Sequence, residues 1–238
     1  MKSQTKWFFI GLIGLLVLSR FVFALPSAPL ITYVSNGSAA SGLVNRSMDV
    51  KGTITVITLS ANQQDYRWKA YVGNVTGKVA LDDVNGKSIY DWDLGVGTGG
   101  EVYVSRFSNI NWASIACVTQ AAIDTEQSNL SMPLTVKDNI NATFNETTHK
   151  SFSVGTLPIS GCRSTATYLN DSAQVMGPSA YFQEVLLRDT TTNDMLYVTL
   201  METAHSGFDN QAHDFQLLVA ENESSTVPAT YFFWVELG

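Results

Sequence analysis

Residues 78–93 read KVALDDVNGKSIYDWD, and their pattern decides the fold class. Asn85-Gly86 is the pair preferred in a two-residue type I′ turn, because both central positions need positive φ. That turn sets Val84 opposite Lys87, Leu81 opposite Tyr90 and Val79 opposite Trp92. One face of the ribbon then carries Val79, Leu81, Tyr90 and Trp92, with Asp83 and Ser88 near the turn. The other face carries Ala80, Asp82, Ile89, Asp91 and Asp93. Aromatics on one side and acids on the other indicate an antiparallel sheet with one solvated face. The acids do not make a calcium loop, since DDVNGKSIYDWD lacks the D-x-[DN]-x-[DN]-G spacing and the closing Glu. They read instead as charges that keep an exposed sheet from pairing with other chains.

Working outward, the period of two continues. VKGTITVITL (residues 50–59) and YRWKAYVG (66–73) alternate as half-buried strands, and EVYVSR (101–106) is a third. Strand-like segments recur at 151–157, 180–188 and 195–201, with DTTTND turning the last two into a hairpin. Residues 214–220 and 230–237 suggest one more hairpin, closed by a loop holding Asn222. Only 111–127 (NWASIACVTQAAIDTEQ) breaks the rhythm, spacing Trp112, Ile115, Ala116 and Ala122 as a short helix would. The fold expected is mainly β, an antiparallel sandwich of Ig-like or jelly-roll-like type with that one helix.

Composition bounds the rest. The 238-residue chain is 45% hydrophobic and 11% aromatic, ample for a packed core, and only 15% charged. Its net charge of −7 offers no basic stripe for nucleic-acid phosphates. At the N-terminus, Lys2 and Lys6 precede the apolar run Trp7–Leu18, and Val22-Phe23-Ala24 places small residues at a cleavage site after Ala24. Residues 1–24 are a signal peptide, or else an uncleaved anchor with Arg20 at its outer end. Losing Lys2, Lys6 and Arg20 with the leader would take the net charge from −7 to −10. Residues 25–49 follow as an N-terminal strand and a Gly/Ser-rich tether, and 50–238 as the sandwich domain with a polar excursion at 124–150.

Eight Asn-x-Ser/Thr sequons start at Asn36, Asn45, Asn74, Asn129, Asn141, Asn145, Asn170 and Asn222. With 15 Asn and 46 Ser or Thr in the chain, chance placement gives about three. N-glycosylation outside the cell accounts for the excess. Cys117 and Cys162, the two cysteines, suit a disulfide in that oxidising compartment. Closing the loop between them, 45 residues apart in sequence, contributes about 4 kcal/mol in the chain-entropy account.

Catalytic signatures are sparse. The stretch Gly95–Gly100 leads into a strand and lacks the Lys-Ser/Thr ending of a phosphate loop. His205, Asp209 and His213, with Glu202 and Asp214 nearby, are sound metal ligands by type but follow no standard spacing. No G-x-S-x-G elbow is present. Tyr71, Trp92, Tyr103 and Trp112 could stack on sugar rings, although aromatics at alternating positions usually fill a core.

The leader KWFFIGLIGLLVL, the crowded sequons of NATFNET and the aromatic strand YFFWVEL together resemble secreted, Ser/Thr/Asn-rich β proteins of archaeal cell surfaces. The resemblance implies an exported structural or adhesive glycoprotein. Within that class, LITYVS (Leu30, Ile31, Thr32, Tyr33, Val34, Ser35), followed by NGSAASG, has the form of a donor strand on a tether, able to complete another subunit's sheet and build a homo-oligomer or filament. Pairing of this strand within its own domain is the alternative. A carbohydrate- or ligand-binding sandwich, with a surface glycan or protein as partner, is a second class of function, and a secreted metal-dependent enzyme a third. No cofactor is called for.

Overall fold

The computed structural model describes residues 44–46, 49–50, 53–63, 67–82, 88–94, 99–222 and 229–237. The leader, Ala24, Leu30–Ser35, Asn36, Asp83, the Asn85-Gly86 turn and residues 95–98 lie outside the described residues. The chain begins with strands β1 (Val44–Arg46), β2 (Asp49–Val50), β3 (Thr53–Gln63), β4 (Trp68–Asp82), β5 (Ser88–Leu94) and β6 (Gly100–Ser105). A 3-10 turn at Trp112–Ser114, strand β7 (Ile115–Cys117), and helices α1 (Gln120–Asn129) and α2 (Ile140–Thr143) follow. Then come β8 (Phe152–Val154), β9 (Leu157–Ile159), β10 (Ser164–Ala166), β11 (Gln183–Asp189) and β12 (Met195–Leu200). The chain closes with β13 (His205–Ser206), β14 (Ala212–His213), β15 (Phe215–Ala220) and β16 (Phe232–Leu237).

The ribbon that decided the fold class is present, with the predicted register over most of its length. Leu81 pairs with Tyr90 and Val79 with Trp92, but Asp82 then faces Ser88, leaving Ile89 as the extra residue of a bulge. The strands read separately at 66–73 and 78–82 are one continuous strand, β4, which pairs along eleven residues with β3. Gly73 and Gly77 sit inside it without breaking the ladder.

Two antiparallel sheets make a sandwich-like core. The first runs β1-β3-β4-β15, with β2 on β3 and β5 on β4; the second runs β10-β11-β12-β6-β16, with β7 on β11. The second sheet is covered on both faces. Val102, Val104, Leu186, Tyr197, Phe233 and Val235 point to one side, against Phe215, Leu217 and Val219 of β15 and the helical residues Ile123, Leu130, Ile140 and Phe144. Their sequence neighbours Tyr103, Val185, Leu187, Leu196, Val198 and Trp234 point to the other, against Ile115, Val154 and Ile159. Double coverage explains why MLYVTL is buried at every position and apolar at all but Thr199, whereas a half-solvated strand would alternate. Each such Leu or Val contributes about 1.5–3 kcal/mol by leaving water. The outer cover is the β8–β9 hairpin, turned at Gly155 with φ +56°, and the Cys117–Cys162 disulfide.

The helix expected within 111–127 is present but starts at Gln120. Asn111 and Thr119 each cap a turn with their side chains, and between them Ile115–Cys117 pairs with β11 as β7. Alternation of Ile115 and Cys117 about Ala116 serves a strand as well as a helix, and the partner decides between them. The hairpin expected from residues 214–220 and 230–237 does not form. Phe215–Ala220 pairs with β4 in the first sheet and Phe232–Leu237 with β6 in the second, so the loop holding Asn222 crosses between layers.

β15 is the point where the sheets meet. Its side away from β4 has no neighbouring strand among the described residues, yet its backbone is satisfied by side chains. Thr199 Oγ1 donates to the Gln216 carbonyl at 2.8 Å, Leu218 N–H donates to Glu184 Oε2 at 2.8 Å, and the Tyr231 hydroxyl donates to the Ala220 carbonyl. Arg106, just after β6, makes a two-pronged pair with Glu126, at 2.6 Å through both Nε and Nη2, and so ties the end of β6 to α1.

Candidate functional site

The His-rich segment folds into a short hairpin in which His205 pairs with His213 across β13 and β14. The rings do not converge on a common point. His205 stacks on Tyr181 with ring centroids 3.6 Å apart, and His213 Nε2 lies 2.9 Å from Asp209 Oδ1. Burial works to raise the Asp209 carboxyl, but the Gln211 N–H and the His213 ring outweigh it and hold it below its ordinary value. Burial raises Glu202, with Lys150 opposing. Asp214 is a structural anchor, accepting from Val75 N–H at 2.8 Å and Ala204 N–H at 2.9 Å. Gly207 sits so close to the hairpin that a Cβ there would lie 2.6 Å from the His213 ring. Among the described residues, no three His, Cys, Asp or Glu side chains are grouped to hold a metal ion.

The stacking aromatics part company. Tyr103 is fully buried, donates to Glu236 Oε2 at 2.8 Å, and meets the Trp112 ring edge-on. Trp112 in turn meets Trp234 edge-on, so Tyr103 belongs to the core and the half-buried Trp112 packs against it. Trp92 lies in β5, and Asp82, Asp91 and Asp93 lie in the β4–β5 ribbon. Tyr71 lines a concavity. Its ring packs edge-on against Phe233, and burial raises its hydroxyl pKa to about 12, with Glu221 adding to the shift.

That concavity is a groove of about 420 Å³ over the β4–β15 junction. Tyr71 and Leu218 of the sheet line it together with Thr165, Tyr168 and Asp171 of one segment, Phe208 of another, and Thr143 of α2. Gln216 fastens the Tyr168 and Phe208 segments together. Its Nε2 donates to Thr167 Oγ1 at 2.8 Å and to the Tyr168 carbonyl at 3.0 Å, while its Oε1 accepts from Phe208 N–H at 2.8 Å. Next to Thr165 lies Glu184, its cross-strand partner and fully buried. Burial pushes its carboxyl well above the ordinary range, opposed by the bond from Leu218 N–H, and its Oε1 has no partner. A protonated carboxyl is the form that such a site favours.

The sequons surround this body. Asn74, Asn129, Asn145 and Asn170 are exposed, Asn141 and Asn222 are half-buried, and Asn45 lies in β1. Two sequons border the groove, because Thr143 ends the motif begun by Asn141 and Asp171 is the middle residue of the motif begun by Asn170. Sequence reasoning singled out Tyr71 and both sequons but not the groove, whose lining is gathered from five separate segments. No helix among the described residues is long and apolar enough to cross a membrane. Comparison of the chain with protein-family models, with curated proteins and with solved structures finds no match in any of the three.

Proposed function

We propose that this chain is an exported, N-glycosylated structural or adhesive protein of the cell surface, which assembles when Leu30–Ser35 of one copy adds to an open sheet edge of the next. The observation that carries the reading is the distribution of sequons. Of the six whose side chains are described, Asn74, Asn129, Asn145 and Asn170 are exposed and Asn141 and Asn222 half-buried, on β4, on the excursion and on the loops after β10 and β15. A disulfide bracing the outer cover supports the same compartment. For assembly, β16 is the acceptor edge. It pairs with β6 on one side and with no strand on the other among the described residues, and its exposed Phe232 offers apolar area to a newcomer. LITYVS matches its six residues in length.

The test is negative-stain electron microscopy of the native glycosylated protein beside a variant lacking residues 25–35. Fibres from the first and discrete, equally stable particles from the second are expected. Fibres that persist in the variant, with only the monomer destabilised, would overturn the assembly mechanism. A second reading, a saccharide-binding module, is favoured by the groove alone, and titration with released surface glycans while following Tyr fluorescence tests it.

A further inference from the structure

We propose that the glycan carried by Asn170 does not project into solvent but lies in the adjoining groove, against Tyr168 and Phe208. This rests on the reading of the chain as N-glycosylated and adds to it a defined seat for one sugar.

Asn170 differs from the other exposed sequon residues in how its backbone is held. Asn170 and Asp171 both take positive φ, at 43° and 59°, a pairing tolerated best by Asn and Asp. The turn that results is pinned to the Phe208 segment. Asn170 N–H donates to the Gly207 carbonyl and Asp171 N–H to the Phe208 carbonyl, each at 2.9 Å, and Leu169 and Ser172 exchange backbone bonds across its neck. A sugar on Asn170 would therefore leave from a fixed rim, so little ordering free energy is lost when it packs.

The groove beside that rim has the chemistry of a sugar seat. Tyr168, two residues before the sequon, is 53% exposed, and with Phe208 it presents aromatic surface for the C–H face of a pyranose ring. Asp171, whose Cα is about 3.8 Å from that of Asn170, and Thr165 supply an acceptor and a hydroxyl for ring hydroxyls. Among the described residues neither side chain has another hydrogen-bond partner. The volume of about 420 Å³ lies within the range of small-molecule sites. The sequon at Asn141 is less suited, because the Thr143 hydroxyl is committed to the Asn139 carbonyl and Asn141 Oδ1 is enclosed.

The test is limited periodate oxidation of the native, full-length glycoprotein, read site by site by glycopeptide mass spectrometry. The sugar on Asn170 should be oxidised about fivefold more slowly than those on Asn129 and Asn145, the protection expected of one aromatic stacking contact. Tyr168→Ala, which leaves the sequon intact, should erase the difference, and denaturation should erase it in every variant. Asn170 occupied but oxidised at the common rate would overturn the proposal while leaving glycosylation intact. Asn170 bare while Asn129 and Asn145 are occupied would overturn it equally. Sequons bare throughout would bring down the glycosylation reading as well. Slow oxidation that survives Tyr168→Ala would place the sugar elsewhere. As a second measurement, Asn170→Asp, which removes the sequon and keeps a residue that tolerates positive φ, should lower Tm more than Asn145→Asp does, and equal shifts would count against the seat.

Discussion

β15 and β16 look alike in sequence, FQLLVA and FFWVEL, yet their free edges are treated in opposite ways. The outward backbone of β15 is met by Thr199, Glu184 and Tyr231, side chains belonging to the other sheet or to the approach to β16. No comparable set covers β16 among the described residues. The difference teaches that a sheet edge can be closed without another strand, provided buried polar side chains supply its missing partners. Closing it this way places a carboxyl in the core, where only its neutral form is comfortable. An edge left without such partners is available for pairing.

The strongest way to break the comparison is at Glu184. Glu184→Ala leaves the Leu218 N–H unpaired in the core and opens a cavity, so a loss of about 2–4 kcal/mol is expected in chemical denaturation. Glu184→Gln keeps an acceptor and the shape, and should cost no more than about 1 kcal/mol. Equal losses in the two variants would mean that packing alone holds the β15 edge.

Acidity probes both strands, through Glu184 beside β15 and Glu101 opposite Glu236 of β16. Burial raises Glu184 and, with the Glu236 charge helping and Lys150 opposing, lifts Glu101 to about 8 from an ordinary 4.5. The folded state therefore keeps protons that the unfolded chain has lost between those values. Stability should be greatest at the acid end of this window and decline as pH rises through about 8, levelling off once Glu101 has ionised in the folded state too. Glu202 and Glu236, also raised by burial, act in the same direction. Asp189 and Asp209 work in reverse: their lowered values withdraw stability below the ordinary Asp range of about 4. Thermal melts at pH 5 and pH 8.5 should give the higher Tm at pH 5, and Glu101→Gln should narrow the gap. A higher Tm at pH 8.5 would contradict the assignment.

Smaller effects sharpen the contrast. Thr199→Val removes one of the three caps on β15 and should cost about 1 kcal/mol. Phe232→Lys, on the uncapped strand, should leave monomer stability within about 0.5 kcal/mol while reducing fibre formation, since charge on an exposed edge discourages pairing. An unchanged fibre yield would remove β16 as the acceptor.

Local chemistry was legible and distant pairing was not. The register of Leu81 with Tyr90 could be read because a turn signal and an alternation lie within sixteen residues of each other. The bulge at Ile89 could not, as nothing in the side-chain pattern marks it. Residues 214–220 and 230–237 looked like two arms of a hairpin because they are adjacent in sequence. Their true partners, β4 and β6, lie far upstream, and periodicity says how a strand faces but not whom it joins. Ile115–Cys117 shows the same blindness on a smaller scale. At the groove, Tyr71 and the sequons at Asn141 and Asn170 were visible as separate features. What unites them is Gln216, a buried amide in an apolar strand, whose role appears only when its three partners are in place.

The places of β15 and β16 also bear on when the molecule can become itself. Each sheet draws an inner contact from the last stretch of chain, with Val75 and Asp214 joined across 139 residues and Tyr103 and Glu236 across 133. Neither layer is complete without residues 214–237. Contacts of such long range make folding slow, on the order of milliseconds to seconds for β proteins. Both layers therefore wait on residues 214–237, and bringing that stretch back to β4 and β6 is the slow step expected of this topology.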